Sequence, residues 1–268
     1  MRRSILLISI VLVLCALLPG SVAQGQDTIF LPTVYCLEEY YWTEHAALIA
    51  LYESTGGEQW YRNTNWLSDY HHHCGWSGVR CGATDRVSNL SFPTNNLQGP
   101  IPPEFGDLSR LWSLDLAGNS LTSLPPQFGN LGQLQELYLH SNSLAALPPE
   151  FGNLQQLQEL WLSLNSLAAL PPEFGDLQQL RTLGLSHNNL TELPPAFGNL
   201  QQLQELWMSD NNLTELPPEL GNLQSLKSLV LYKNSLSAVP AEIGNLQQLQ
   251  ELWMSDNNLT ELPSEIGN

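Results

Sequence analysis

One phrase of fifteen residues occurs twice in this chain, and its spacing constrains the fold more than any other feature. The phrase LQELWMSDNNLTELP runs from Leu203 to Pro217 and returns from Leu249 to Pro263. It belongs to a 23-residue pattern, L-x-x-L-x-L-x-x-N-x-L-x-x-L-P-P-x-F-G-N-L-x-x, that recurs in register. A fixed period of this length predicts a solenoid in which each repeat packs on its neighbours. The eight repeats, of which the last is incomplete, begin at Val87, Leu111, Leu134, Leu157, Leu180, Leu203, Leu226 and Leu249.

Each repeat predicts one short strand followed by a return segment. Leucines at positions 4 and 6 alternate with variable residues, which is the period of a half-buried strand. Strands that all run the same way form a parallel sheet, and the return segment, LPPEFGN in its cleanest form, is too short and proline-rich for a regular helix. We expect that segment to be extended or 3₁₀-like. The asparagine at position 9 should turn into the interior, where its amide can satisfy backbone groups of adjacent turns.

Residues 43–86 precede the repeats and predict an N-terminal capping region. Thr43 can cap a short amphipathic helix, and the glycine pair Gly56–Gly57 can end it. The segment CGWSGVRC, from Cys74 to Cys81, follows shortly before the first repeat strand. The apolar residues at helical spacing are Ala47, Leu48, Leu51 and Tyr52.

The repeats and this cysteine segment resemble those of extracellular leucine-rich repeat proteins with a plant-type N-terminal cap, which also occur in bacteria. The first repeat contains NNLQGPIPPEFGDL, close to the plant-type form N-x-L-x-G-x-I-P. The resemblance implies an α/β fold, a leucine-rich repeat solenoid (horseshoe) with a parallel concave sheet, an extended or 3₁₀ convex side and a small helical N-terminal cap. It also implies a disulfide between Cys74 and Cys81. The C-x-W-x-G-V-x-C motif of such caps is matched at Cys74, Trp76, Gly78, Val79 and Cys81.

The chain departs from plant receptors of this kind in two ways. Their caps usually carry a second cysteine pair, and they continue into a membrane span and a kinase, neither of which occurs in this sequence. The resemblance therefore does not extend receptor signalling to this chain. The implied disulfide leaves Cys36 without an assigned role.

Residues 1–23 predict a secretory signal peptide. Arg2 and Arg3 precede an apolar run, and the small-residue site SVA ends at Ala23. The rival interpretation of this run is a permanent membrane anchor, and no other stretch is apolar enough to span a bilayer. Residues 24–42 are expected to be a short linker. Loss of Arg2 and Arg3 would change the net charge from −17 to −19. So acidic a chain disfavours nucleic acid and anionic membranes as partners. From the predicted signal peptide we expect a secreted or surface-exposed protein.

The sequence predicts neither an enzyme nor a metal site. HHHC, His71 to Cys74, is the one cluster that resembles metal ligands, but adjacent histidines on an extended chain alternate in direction. The resemblance also assigns Cys74 to a disulfide. Carboxylates recur by repeat position instead of converging as a pair in a cleft, and the sequence contains no nucleophile elbow, phosphate loop or zincin motif. We therefore expect no catalytic residues, no metal and no cofactor.

The variable positions of the repeats predict a recognition surface. Side chains at positions 3, 5, 7 and 8 should point out of the concave face, where a row of aromatic rings lies beside a row of carboxylates. Such exposed rows are typical of binding surfaces. Because strands two apart lie about 10 Å from each other, Trp161, Trp207 and Trp253 should form a column at that step. The predicted ligand-binding residues are Glu136, Tyr138, Glu159, Trp161, Glu205, Trp207, Asp210, Tyr232, Glu251, Trp253 and Asp256.

The predicted function is a non-enzymatic binding module for a protein, peptide or glycan. The acidic charge favours a neutral or basic ligand. An alternative stays open, because aromatic residues favour strands in any case and duplication would copy one tryptophan into several repeats. The chain could then be a structural or adhesive surface protein without one defined ligand. The last repeat, from Leu249, would present an open core edge through which copies could self-associate.

Overall fold

Each repeat contributes one short strand to a nine-stranded sheet. The computed structural model describes residues 32–68 and 72–267. The strands in chain order are β1 (Val79–Cys81), β2 (Val87–Ser91), β3 (Gln98–Pro100), β4 (Ser113–Asp115), β5 (Ser120–Ser123), β6 (Glu136–Tyr138), β7 (Glu159–Trp161), β8 (Thr182–Gly184), β9 (Glu205–Trp207), β10 (Ser228–Val230) and β11 (Glu251–Trp253). The large sheet has the order β1-β2-β4-β6-β7-β8-β9-β10-β11, and β3 pairs with β5 in a small second sheet.

The register of the large sheet follows the sequence period. Strand β1 runs antiparallel to β2, and every later pair is parallel. Leu137 aligns with Leu160, and Leu160 aligns with Leu183. Equivalent residues of successive repeats therefore stand beside one another, as the 23-residue period predicts.

The two faces of the sheet differ as the alternation predicts. Leu160 and Leu162, at positions 4 and 6 of one repeat, are fully buried. Glu159 and Trp161, at positions 3 and 5, are half-buried and point away from the core. We use the term concave face for the side of the sheet formed by positions 3 and 5 together with the residues at positions 7 and 8.

The return segments are 3₁₀ turns, which confirms that prediction. In the five turns that carry phenylalanine, the ring is fully buried and stacks nearly parallel on the next, at centroid distances of 6.0–6.2 Å. The adjoining glycine lets successive turns approach closely, because a Cβ on Gly152 would lie 2.2 Å from the carbonyl oxygen of Glu173. The turns are Pro103–Asp107, Pro126–Asn130, Pro149–Asn153, Pro172–Asp176, Pro195–Asn199, Pro218–Asn222, Ala241–Asn245 and Ser264–Gly267.

The position-9 asparagines form the predicted interior ladder. Nδ2 of Asn188 donates to the carbonyl oxygens of Leu162 and Leu185, both at 3.0 Å. Its Oδ1 accepts from the backbone N–H of Leu167, also at 3.0 Å. Leu162 and Leu167 belong to the preceding repeat, so one amide joins two turns. The role of these asparagines is structural.

The helix of the capping region begins earlier than predicted. Helix α1 spans Pro32–Ser54, so Thr43 lies inside it and does not cap it. Proline suits the first turn of a helix, and residues 33–42 contain neither glycine nor proline to stop it. The predicted linker 24–42 is thus helical from Pro32, and residues 24–31 lie outside the described residues. The contacts of the chain divide it into Met1–Leu37 and Glu38–Asn268, and the second unit holds all of the repeats.

The buried face of α1 is the predicted one. Ala47, Leu48 and Leu51 are fully buried. Glu44 is also buried, and its carboxylate accepts from Arg86 Nε at 2.6 Å and from the Val87 backbone N–H at 2.9 Å. This ion pair fixes the helix to the first strand of the repeats. Because the pair is buried, removing one partner would leave a buried charge unpaired.

Cys74 and Cys81 form the implied disulfide. It joins the short 3₁₀ turn His73–Gly75 to the end of β1. Among the helices in the described ranges, none is long and apolar enough to cross a membrane. The predicted signal peptide, residues 1–23, lies outside those ranges.

The last repeat is less buried than the others. Leu252 and Met254 in and after β11 are partly exposed, whereas the equivalent Leu229 and Leu231 in β10 are fully buried. Strand β11 stands at the end of the sheet order. Self-association through this edge stays a prediction.

Candidate functional site

The structure aligns the predicted binding residues on the concave face. Glu136, Glu159, Glu205 and Glu251 lie in one row at position 3, with Thr182 and Ser228 between them. A second row at position 5 runs alongside it. That row consists of Tyr138, Trp161, Gly184, Trp207, Val230 and Trp253. Asp210, Tyr232 and Asp256 follow β9, β10 and β11 by two or three residues.

The predicted even column of tryptophans is wrong for its first step. Trp161 and Trp207 lie two strands apart, yet their ring centroids are 4.8 Å from each other and the rings are stacked at 25°. The reason is Gly184 on the strand between them. A Cβ at Gly184 would lie 2.5 Å from Cε3 of Trp161, so the missing side chain lets Trp161 lean across β8 onto Trp207. A lone glycine in a column of aromatic residues was the sequence signal for this contact.

Glu159 holds the first ring of this pair. Nε1 of Trp161 donates to Oε1 of Glu159 at 2.7 Å. The side chain of Tyr138 interacts with the same carboxylate. Burial, Glu159, and the charges of Glu136 and Asp115 raise the pKa of Tyr138 above its usual value. Tyr138 therefore stays protonated, and Glu159 is held between the indole of Trp161 and the side chain of Tyr138.

The position-8 residues form a charged rim beside the stacked rings. Asp210 Oδ1 lies 3.4 Å from Lys233 Nζ, and Asp210 Oδ2 lies 3.7 Å from His187 Nε2. All three residues have left-handed backbone, with φ between 52° and 56°. Sequence reasoning selected Asp210 but missed His187 and Lys233. The available signal was the opposite charge at the same position of adjacent repeats. Ion pairs this exposed contribute little stability.

The aromatic row is more exposed to solvent at its β11 end. Trp253 is 58% exposed. Its neighbour Glu251 accepts a hydrogen bond from the Ser228 hydroxyl at 3.2 Å. Tyr232 lies near the rim, with its ring centroid 5.7 Å from Lys233 Nζ. The predicted residues thus follow the two rows and the rim, and among them Trp161 and Trp207 form a ring pair.

The histidine cluster of the cap lies apart from this surface. Donor atoms of His72, His73 and Cys74 lie within 4.8 Å of one another. The Cys74 sulfur is committed to the disulfide, so it is not available as a thiolate ligand. His73 is fully buried, and burial together with the charges of His72 and His45 lowers its pKa to about 4. Near neutral pH His73 is an uncharged part of the cap.

Comparison with known families agrees with this geometry. A family model described as leucine-rich repeat region matches residues 161–238. Two further models, each described as leucine rich repeat, match residues 86–144 and 248–268. Together the three matches cover more than half of the chain. A relative from Arabidopsis thaliana, the leucine-rich repeat receptor-like serine/threonine-protein kinase FEI 2, is 49% identical over 49 residues. That match covers 18% of this chain and 8% of the relative. The kinase in its name refers to another domain of that protein.

Solved structures show the same architecture. A leucine-rich repeat protein of Leptospira interrogans is 36% identical with a TM-score of 0.52, over 68% of this chain and 52% of that one. The ectodomain of the Arabidopsis receptor kinase HAESA, in complex with an IDA peptide hormone ligand, is 28% identical with a TM-score of 0.59. It is matched over 87% of this chain and 44% of its own length. The chain spans about half of these two proteins and less of the kinase relative. With its repeat register, family-model matches and capping motif, this chain is a member of the leucine-rich repeat family with plant-type features.

Proposed function

We propose that this chain is a non-enzymatic module, secreted or exposed at a cell surface, that binds a peptide or an extended protein segment on its concave face. The observation that carries the proposal is the stacked Trp161–Trp207 pair, set beside a row of carboxylates on an open sheet face. Large aromatic rings that are already held in position lose little entropy on binding and are typical anchors of interfaces.

The rows of the sheet favour an extended ligand. Equivalent side chains recur at each strand, about 4.8 Å apart, so a peptide lying across the strands would meet a new pair of side chains at every step. The HAESA ectodomain, which shares the fold, has a peptide hormone as its ligand. A glycan stays a second possibility for the same rings, and the peptide is favoured because carboxylates suit its backbone and basic side chains.

The electrostatics of the surface favour a neutral or basic ligand. The chain carries a net charge of −17. The concave face carries Glu136, Glu159, Glu205 and Glu251, and Lys233 at its rim is already paired with Asp210. A negative surface of this kind attracts cationic groups and repels anionic ones.

A location outside the cytoplasm is supported by two features. The Cys74–Cys81 disulfide fits an oxidising compartment. The pattern of residues 1–23 fits a secretory leader. The absence of a converging acid–base pair on the concave face supports a binding role over catalysis, because its carboxylates are spread by repeat position.

Arrays of peptides, proteins and glycans probed with residues 24–268 would test this function. We expect peptide or protein hits that are lost on Trp207→Ala and kept on Trp112→Ala. Trp112 is the matched control, because it is 42% exposed and lies just before β4, outside the two rows. Hits that respond to salt but not to Trp207→Ala would favour the structural or adhesive alternative.

A further inference from the structure

The tripeptide Glu-Leu-Trp occurs on three strands of the sheet, in three different environments. On β7, Glu159 accepts a hydrogen bond from the indole of Trp161. On β11, Glu251 accepts from the Ser228 hydroxyl, and Trp253 is exposed without a stacking partner within the described ranges. On β9, Trp207 is stacked, and the carboxylate of Glu205 makes no hydrogen bond or ion pair with any residue of 32–68 or 72–267. Identical letters therefore leave one carboxylate uncommitted beside the ring pair.

The surroundings of Glu205 leave room for a ligand group. Its neighbours in the position-3 row are Thr182 on β8 and Ser228 on β10. Both are smaller than glutamate, and the Ser228 hydroxyl is directed to Glu251. The next carboxylates in the row, Glu159 and Glu251, stand two strands away, about 10 Å. Glu205 is itself half-buried, and none of the ion pairs within residues 32–68 and 72–267 includes it.

On the strength of the proposed function, we propose that Glu205 and Trp207 hold an arginine side chain of the peptide ligand. A guanidinium is planar, stacks on aromatic faces and donates two parallel hydrogen bonds to one carboxylate. Trp161 stacks on one face of Trp207. The neighbour of Trp207 on β10 is Val230, a smaller side chain over which the planar cation would lie against the other face of the ring. A neutral aromatic group would cover the ring but leave Glu205 unpaired, and a lysine could pair with Glu205 but cannot stack as a plane.

Trp161 and Gly184 position this anchor without touching the arginine. The hydrogen bond from Trp161 to Glu159 fixes the first ring. Gly184 lets that ring lie across β8 against Trp207. Trp207 is thereby oriented before the ligand arrives, which lowers the entropy lost on binding.

Selection of a random peptide library displayed on phage would test the anchor. Separate selections would use wild-type residues 24–268 and the variants Glu205→Gln, Glu215→Gln and Trp207→Ala. Glu215 is the charge-matched control, because it lies in the same repeat as Glu205 but is exposed outside the concave face. We expect arginine to be enriched in peptides selected on wild type and on Glu215→Gln, and the enrichment to disappear on Glu205→Gln.

Affinities of one selected peptide would make the test quantitative. Replacing its arginine with citrulline, which keeps the shape and removes the charge, should weaken binding to wild type by about tenfold or more. The same replacement should have little effect on Glu205→Gln, because the partner charge is already absent.

Each other outcome has a defined meaning. Peptides that depend on Trp207 but show no arginine preference, or keep it on Glu205→Gln, would overturn the arginine anchor and leave the proposed function standing. If no selected peptide depends on Trp207, the proposed function fails and the anchor fails with it.

Discussion

Trp161 and Trp207 lie on strands that are not neighbours, yet their rings stack with centroids 4.8 Å apart. The glycine on the strand between them, Gly184, is what permits the contact. A Cβ there would lie 2.5 Å from the Trp161 ring. The pair gives the concave face a fixed aromatic element, and its existence can be tested without knowledge of the ligand.

Gly184→Ala should separate the two rings. The new methyl group would displace Trp161, whose ring is at the surface and can move outward. We expect the exciton signal of the tryptophan pair in circular dichroism to disappear, with a loss of unfolding free energy no larger than about 1.5 kcal/mol. Gly132→Ala is the matched control, because a Cβ there meets no atom within 4 Å. An unchanged exciton signal in Gly184→Ala would show that the stack does not depend on this glycine.

Asn188→Ala should destabilise the chain strongly, and Asn189→Ala should not. The amide of Asn188 makes three hydrogen bonds at 3.0 Å and is 6% exposed. Its loss would leave buried backbone groups without partners, at a cost of about 2–4 kcal/mol. Asn189, the next residue, is exposed, so its replacement should cost less than about 0.5 kcal/mol. Urea unfolding of both variants measures the difference, and equal costs would contradict the ladder.

The cap should lose stability in mild acid. The folded pKa of His73 is lowered to about 4 from 6.5, so the unfolded chain binds the proton first. Stability is therefore complete above the unfolded pKa and decreases as the pH falls from 6.5 toward 4. For His73 alone the loss is about 2 kcal/mol at pH 5.

The groups that face His73 do not reverse this sign. Glu44 Oε2 lies 3.9 Å away, but that carboxylate already accepts from Arg86 and Val87. His45, whose pKa is also lowered by burial and by His72, acts in the same direction. Thermal unfolding from pH 7 to 5 should show a shallower slope for His73→Asn than for wild type. An unchanged slope would mean that His73 is not the titrating group.

Trp207 and Trp253 should differ as binding residues, although their sequence phrases are identical. Trp207 is stacked and half-buried, whereas Trp253 is 58% exposed. Pre-oriented, partly desolvated rings are the stronger anchors, so Trp207→Ala should cost about 2 kcal/mol of binding free energy and Trp253→Ala clearly less. Titration calorimetry with a selected peptide measures both, and equal losses would favour an even column of anchors.

The features that depend on periodicity could be predicted from the sequence. The strands, their parallel register, the 3₁₀ turns and the interior asparagines follow from the 23-residue period, because each repeat meets the same neighbours. The start of α1 could not be placed, since residues 33–42 carry no strong stop signal and Thr43 looked like a cap. The ring stack was missed because it depends on side-chain rotamers across an absent side chain at Gly184.

The charged rim also could not be predicted from the strand pattern alone. His187, Asp210 and Lys233 approach one another because each repeat has left-handed backbone at position 8. That conformation is set by the turn into the core, so the alternation of buried and exposed residues in the strands does not predict it. The uncommitted state of Glu205 likewise depends on Thr182 and Ser228 in neighbouring repeats.

The most direct test of the account is where a bound peptide lies. A photoreactive p-benzoylphenylalanine replaces Val230, which lies between Trp207 and Trp253 in the position-5 row. In a control chain it replaces Gln201, an exposed residue just after the return turn Pro195–Asn199. The account predicts that a selected peptide crosslinks to the chain modified at 230 and not to the one modified at 201. Crosslinking at 201 alone would contradict a ligand site on the concave face.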